Sequence, residues 1–398
     1  MDLDGNVTAL DKASVNVDTR AERQDLGPVY RSTLSNGMPV WTVAGYDEAI
    51  AALNDSRLSA AAMLAAGALD GGKLEPDLRD ALLKGLTNSD PPDHTRLRRL
   101  VSSVFTARRV EALRPWITRL TEDLIDGFAP GDRVELMSAF AEPLPILVIS
   151  ELLGIPEADR PRVRDWSRTV ISGLGSPDFP VAAAVEFVDY LRDLIADRRE
   201  HPDDALISAL IRARDERDTL TANELTSTIF LMIVAGHDTT VSLIGNGVYL
   251  LMTQPDLAAR LREDAGRLPG AIEEFLRLES PVPTANLRAA VESFDLGGSR
   301  ISAGDLVAID LQAANRDSAR YTDPARLDPT RAHGRHLAFG HGIHFCLGAP
   351  LARLEGELAI GTLLRRFPDL RLAVPAAEMT WSQATFVHRP DALPLMLA

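Results

Sequence analysis

The sequence reads as a mainly α protein with small β-sheets, and three observations predict that class. Apolar residues recur at helical spacing, most clearly at Val110, Leu113, Trp116, Ile117, Leu120, Leu124 and Ile125. The longest apolar run, Ile229 to Met252, is long enough for a core helix. Strand signals are confined to short pieces, Pro39 to Val43 and Phe294 to Asp310. No repeat and no Pro/Gly/Ser-rich linker interrupts the 398 residues, which predicts one domain over 1–398.

Taken in order, residues from 1 to about 30 read as a loosely ordered segment, with neither the basic start nor the apolar core of a signal peptide. The strand Pro39 to Val43 precedes a helix over Tyr46 to Asn54. Leu58 to Asn88 is rich in Ala and Gly and weakly periodic, so it reads as a mobile loop with short helical pieces. The stretch from Val110 to Ile125 forms an amphipathic helix. Further helices run from Glu135 to Arg214, broken at Gly173 to Pro180. The run Ile229 to Met252 could span a membrane by length, but Gly236, His237, Asp238, Thr239 and Thr240 occupy its centre. An acid there is costly in lipid, so a buried core helix is expected. Asp256 to Leu278 is helical, and Phe294 to Asp310 alternates around Gly297 and Gly298 as a hairpin.

The chain carries 42 Lys+Arg against 57 Asp+Glu, a net charge of -15. That balance disfavours nucleic acid as a partner, because phosphate binding needs a basic footprint. With a single cysteine no internal disulfide can form, which fits a soluble protein of a reducing cytoplasm.

That cysteine, Cys346, lies in Phe339 to Gly348, F-G-H-G-I-H-F-C-L-G. Gly340, Gly342 and Gly348 let the backbone approach a flat group closely. The periodic run Leu351, Leu354, Leu358 follows at once, so Cys346 sits at a helix N-terminus, where dipole and free N–H groups favour a thiolate. A thiolate is the ligand that pushes electron density into haem iron. The alternative is a buried, inert cysteine.

The decapeptide resembles the haem-binding segment of the cytochrome P450 haem-thiolate monooxygenases, F-x-x-G-x-x-x-C-x-G, and every fixed position is present. The resemblance extends from about Val40 to Leu397. It implies the cytochrome P450 fold: an α-rich lobe, a smaller β-rich lobe, and haem b between a long central helix and the cysteine loop. Cys346 would ligate the iron, with Phe339, Gly340, His344 and Gly348 around it. In A-G-H-D-T-T, Ala235 and Gly236 would face the cofactor, and Thr239 and Asp238 would be the catalytic pair that delivers protons to bound O2. Gly236 and a back-bonding Thr would also weaken the helix and widen a turn there.

By the same resemblance, His94 and Arg98 in D-P-P-D-H-T-R-L-R-R would hold the haem propionates, together with Arg288 and His344. Glu274 and Arg277 would form a structural ion pair, with Arg326 as third partner. Candidate substrate contacts are Met63, Leu86, Leu174, Val234, Pro283, Ala285, Asn286, Thr385 and Phe386. Leu58 to Asn88 and Gly173 to Pro180 would form a mobile lid. Arg96, Arg99, Arg108 and Arg109 read as a solvated basic patch, joined by His341 and Arg353, that steers an acidic electron donor.

The activity so implied is monooxygenation by a monomer: O2 and electrons from a ferredoxin and ferredoxin reductase, and a bulky hydrophobic substrate of macrolide, polyketide or related specialised metabolism. No flavin, NAD or iron–sulfur fingerprint is present in the chain to supply those electrons. Oxidative coupling, desaturation and peroxide-driven oxidation are the alternatives on the same fold. The Asp238–Thr239 pair favours the O2 route. A non-catalytic recruitment module has no need of Cys346, whose presence argues against it.

Overall fold

The structure, a computed structural model, describes residues 8–9, 26–34, 37–66, 74–173, 178–215, 220–331, 335–382 and 386–397. Its strands are short. A six-stranded mixed sheet has the order β1–β2–β3–β9–β6–β4, formed by Thr8–Ala9, Val29–Thr33, Pro39–Val43, Leu306–Ile309, Arg288–Ala290 and Leu58–Ser59 respectively. A second sheet pairs β10 (Arg371–Leu372) with β11 (Pro394–Met396) and β5 (Arg133–Glu135), all antiparallel. β7 (Phe294–Leu296) and β8 (Ser299–Ile301) form a hairpin around Gly297 and Gly298, at φ 54° and 81°. The expected hairpin is therefore shorter than Phe294 to Asp310. Its last part is β9, which leaves to pair with β3 and β6.

The helices comprise α1 (Tyr46–Asn54), α2 (Ala60–Ala65), α3 (Pro76–Leu83), α4 (Asp93–Val104), α5 (Ala107–Ala112), α6 (Arg114–Asp126), α7 (Pro143–Leu153), α8 (Arg160–Gly173), α9 (Val181–Glu200), α10 (Leu206–Asp215), α11 (Ala222–Met252), α12 (Pro255–Glu263), α13 (Leu268–Leu278), α14 (Leu311–Ala314) and α15 (Ala349–Arg366). Two apolar cores follow. The larger joins the helices around α11; the smaller joins β2, β3 and β9 to α1 through Val29, Trp41, Val43, Leu53 and Ile309.

Three elements differ from expectation for identifiable reasons. The helix expected over Val110 to Ile125 is two helices, because Pro115 lacks the N–H that would continue α5 and instead starts α6. Asp256 to Leu278 splits at a 3₁₀ turn, Ala265–Arg267, where Asp264 caps the Gly266 N–H. Leu58 to Asn88 is more ordered than a loop, carrying β4, α2, α3 and a 3₁₀ turn at Leu86–Asn88; residues 67–73 lie outside the described residues. The break between α8 and α9 stands where expected, with residues 174–177 also outside them.

α11 organises the larger lobe. A capping box starts it: Thr221 accepts from the Glu224 N–H at 3.1 Å, and Glu224 returns a bond to the Thr221 N–H at 2.8 Å. Its 31 residues reach about 46 Å. It is the one helix among the described residues long and apolar enough to cross a membrane, but 67% of its most apolar window is buried in protein. The helix is unbroken through Gly236 to Thr240, so the expected widened turn is absent. The hydroxyl does bond back, from Thr239 Oγ1 to the Ala235 carbonyl at 2.6 Å, without opening the ladder.

His237, on this helix, is 1% exposed and makes no hydrogen bond of good geometry, although the Glu142 main chain approaches it. Burial drives its pKa down to about 4, against about 6.5 in an unfolded chain. Between those values the unfolded chain takes up a proton that the folded protein refuses, so stability falls as pH drops from 6.5 towards 4. His237→Leu removes that loss. We expect its gain in stability to be larger at pH 5 than at pH 8 by about 2 kcal/mol, read from thermal unfolding at both pH values. Equal gains would contradict the neutral buried imidazole.

Candidate active site

The cysteine loop is held by its own backbone. Cys346 N–H donates to the Phe339 carbonyl at 2.9 Å, and Gly340 N–H to Leu337 at 2.8 Å. Gly340 and Gly342 have φ of 70° and 69°, which side chains with a Cβ rarely adopt. At Gly342 a Cβ would also stand 2.5 Å from Asn54 Oδ1, so this glycine serves the packing of α1 rather than a cofactor. The Arg353 guanidinium lies 4.6 Å from the centre of the Phe339 ring.

Cys346 precedes α15 by three positions, as expected, and its side chain is accessible although it lies deep in the protein. Burial raises its thiol pKa. Against this work the N–H groups of Gly348 and Ala349 at the start of α15 and the charges of Arg98 and Arg353. The free protein therefore favours the thiol, while the donors needed by a thiolate already stand around the sulfur.

A second cluster gathers His94 and Arg98 from α4, Arg288 from β6 and His344 from the loop. The His94 and His344 rings lie 4.3 Å apart. His94 Nε2 is buried with no hydrogen-bond partner. Arg288, 6% exposed, spends Nη1 on the carbonyls of Ala52 and Leu53 at 3.2 and 3.1 Å. Burial lowers the pKa of all four groups, and takes His344 to about 4. Among the described residues none of the four forms an ion pair. The buried Arg288 cation has only the charges of Asp90 and Asp55, beyond ion-pair distance, to offset its burial, which is costly. Two carboxylates reaching this cluster would supply the missing charge, and haem carries two.

The third component is one stripe of α11. In the middle of α11 Ala235 is exposed and Leu231, Met232, Val234 and Thr239 are half-buried, leaving a mostly apolar face with one hydroxyl uncovered by protein. Gly236 is half-buried as well, and a Cβ there would stand 3.1 Å from Ile149 of α7, so its small size also serves helix packing. Asp238 is 4% exposed and its Oδ1 accepts from Arg389 Nη1 at 3.0 Å. With Arg389, Asp165, Arg168 and Ser172 it lines a cleft of about 400 Å³.

Glu274 and Arg277 pair at 2.7 Å, 2% exposed each. Arg326 is not their third partner: its side chain is exposed, and only its carbonyl accepts from Arg277, at 3.0 Å. Arg331, five residues on, folds back to place Nε 3.3 Å from Glu274 Oε1. Met63 is fully buried and Leu86 nearly so, which corrects Met63 as a pocket-lining residue. Asn286 reaches Asn88 at 3.4 Å, in the turn that carries Leu86. Pro283, Ala285 and Phe386 are half-buried. Leu174 and Thr385 lie outside the described residues.

The basic patch is smaller than expected. Arg96 pairs with Glu224 of α11 and Asp93, Arg109 donates to the Asp204 carbonyl, and Arg353 binds Glu273 at 2.6 and 2.9 Å. Arg99 and Arg108 remain exposed without an ion pair among the described residues. Arg331 and Arg389 escaped the sequence reading because nothing near them in the chain marks a partner as distant as Asp238.

A reachable sulfur at a helix start, beside a cluster of two arginines and two histidines, fits a protein that ligates haem through cysteine. The family model for cytochrome P450 matches residues 149–370, and the chain belongs to the cytochrome P450 family. It is 44% identical to cytochrome P450 monooxygenase PikC of Streptomyces venezuelae over 99% of this chain and 94% of that protein. It is 40% identical to mycinamicin IV hydroxylase/epoxidase of Micromonospora griseorubida, over 94% of this chain and 94% of that protein. The solved structure of tirandamycin C-bound P450 monooxygenase TamI superposes with a TM-score of 0.90 at 42% identity, over 98% of this chain and 100% of that one.

The protein is thus an oxidoreductase, a cytochrome P450 monooxygenase, with haem b as its prosthetic group. Family membership brings redox partners, O2 and a hydrophobic substrate. The residues present fit the haem: Cys346 would ligate it, and His94, Arg98, Arg288 and His344 would bind its propionates. When bound, haem supplies O2 activation with electrons delivered from outside.

Proposed function

We propose that this enzyme hydroxylates or epoxidises a bulky hydrophobic molecule of the macrolide or polyketide class, as a cytoplasmic monomer fed by a ferredoxin and its reductase. The whole chain acts as one catalytic unit. The observation that carries this reading is the uncovered apolar stripe of α11 with Thr239 on it, in a chain matched nearly end to end by relatives named for such products. Thr239 gives its own proton to Ala235, so its oxygen is left as an acceptor that holds a proton-bearing group over the stripe. Asp238 sits one position away, between that stripe and the outer cleft, where a carboxylate can pass protons inward.

An optical titration of the oxidised holoprotein with macrolides, polyketides, steroids and aromatic metabolites tests the substrate class. A saturable shift from low to high spin with macrolides or polyketides is expected; a shift with aromatic metabolites alone overturns the class. Asp238→Asn should slow turnover by about a hundredfold and raise the solvent isotope effect. An unchanged isotope effect would remove Asp238 from the proton route. On the electron side, Arg99→Glu with Arg108→Glu should raise the KM for ferredoxin and weaken its salt dependence while leaving substrate binding intact. No change in either sinks the docking assignment.

A further inference from the structure

We propose that His388 is a positioning residue that sets the width of the substrate pocket. The inference rests on the reading that the turns carrying Pro283 to Asn286 and Phe386 are pocket walls. Both turns converge on one buried polar network that no step of the chemistry uses. His388 is 6% exposed, and its Nε2 lies 2.8 Å from Glu279 Oε2. Its ring stacks on Trp381, with centroids 4.6 Å apart and planes 3° from parallel. Its own N–H donates to the Pro281 carbonyl at 2.9 Å, which ties the two turns together through the main chain.

The network also reaches the central helix. Asn246 of α11, fully buried, donates to the carbonyls of His388 at 2.9 Å and Glu279 at 3.0 Å. Asn246 follows Thr239 by seven positions, so both belong to one stripe of the helix. The Glu279 carboxylate is anchored in turn by Arg316 at 2.7 Å and Gln312 at 3.0 Å, and the Gln312 N–H donates to the Pro283 carbonyl at 3.1 Å. The two walls are thereby fixed to each other and to the helix that bears Thr239. A carboxylate accepts only, so His388 Nε2 is the donor and its bond is charge-assisted. Released from Glu279, the Phe386 wall loses its registration on Pro283, and ligands that fill the pocket lose more than ligands that do not.

Two iron-directed probes of different size read this without a known substrate: imidazole and clotrimazole, each titrated by its Soret shift in the holoprotein. His388→Leu keeps bulk and strands no charge, because Arg316 still pairs with Glu279. We expect it to change the ratio of the clotrimazole to the imidazole Kd by about tenfold. His388→Gln, which keeps a donor, should stay within about twofold of the wild type. Phe386→Ala reports on the underlying reading, since it should alter clotrimazole binding if the turn is a wall.

An unchanged ratio in His388→Leu with an altered one in Phe386→Ala overturns the proposal alone. An unchanged ratio in both overturns the wall reading with it. A shift in His388→Gln as large as in His388→Leu also refutes the role assigned to the bond. Should His388→Leu yield no haem protein, hydrogen exchange of the wild type decides. Peptides spanning 281–287 and 386–390 should gain protection together on clotrimazole binding, and protection of one alone refutes the coupling.

Discussion

Cys346→His is expected to abolish the strongly red-shifted absorption band of the reduced, carbon monoxide-bound protein. The change replaces an anionic ligand by a neutral one, and the band depends on electron density that the thiolate alone donates. The site is arranged for the anion. The Gly348 and Ala349 N–H groups point at the sulfur from the start of α15, and Arg98 adds positive charge. A histidine in this place gains nothing from those donors. Haem retention should suffer less than the band, because His94, Arg98, Arg288 and His344 are untouched. The measurement is the reduced, carbon monoxide difference spectrum set beside the haem content of the same preparation. A variant that keeps the red-shifted band would contradict ligation by Cys346, because the chain has no second cysteine to supply a thiolate.

Glu274→Ala should eliminate soluble holoprotein. Arg277 is 2% exposed and both Glu274 oxygens receive its bonds, at 2.7 and 2.9 Å. Its remaining donors reach the carbonyls of Asn315, Pro324 and Arg326 at 3.0, 2.7 and 3.0 Å. Removal of the carboxylate leaves Arg277 and Arg331 without their anion, and stranding a buried charge costs about 3–5 kcal/mol. That is a large share of the roughly 5–15 kcal/mol that holds a typical protein folded. The consequence spreads to the cofactor because the segment these carbonyls belong to leads into the cysteine loop. Glu274→Gln keeps the size and one acceptor, so it should fall between the two. Haem-loaded Glu274→Ala at wild-type yield would count against this ion pair as a fold-locking element.

Much of the site was legible because its signals are local. The cysteine loop shows its ligand, its positive-φ glycine at 340 and its following helix within a dozen residues. The His94–Arg98 spacing on one helix face is equally local. What depended on approach in space was not legible. Arg326 stands where the chain order suggested a partner for Glu274, yet the turn at Asp328 to Arg331 swings the later arginine inward. Gly236 lies only about 60° round the helix from Thr239, yet its contact with Ile149 of α7, 87 positions back in the chain, has no local signal. Asp238 and Arg389 are 151 positions apart, and Arg96 and Glu224 are 128 apart. Periodicity alone ran through Pro115 without registering that a missing N–H ends one helix and begins another.

α4 has a mechanical consequence. Within twelve residues it presents Arg99 to solvent, His94 and Arg98 to the cluster that would hold the haem propionates, and Arg96 to Glu224 at the entrance of α11. No hinge separates these positions. A protein pressing on Arg99 would therefore act on a single shaft, pinned on that same side to the first turn of α11 through Arg96 and carrying His94 and Arg98 on another. With the proposed docking and propionate roles, partner arrival and the seating of the reaction centre would be geared together, and a looser α4 would let one slip against the other.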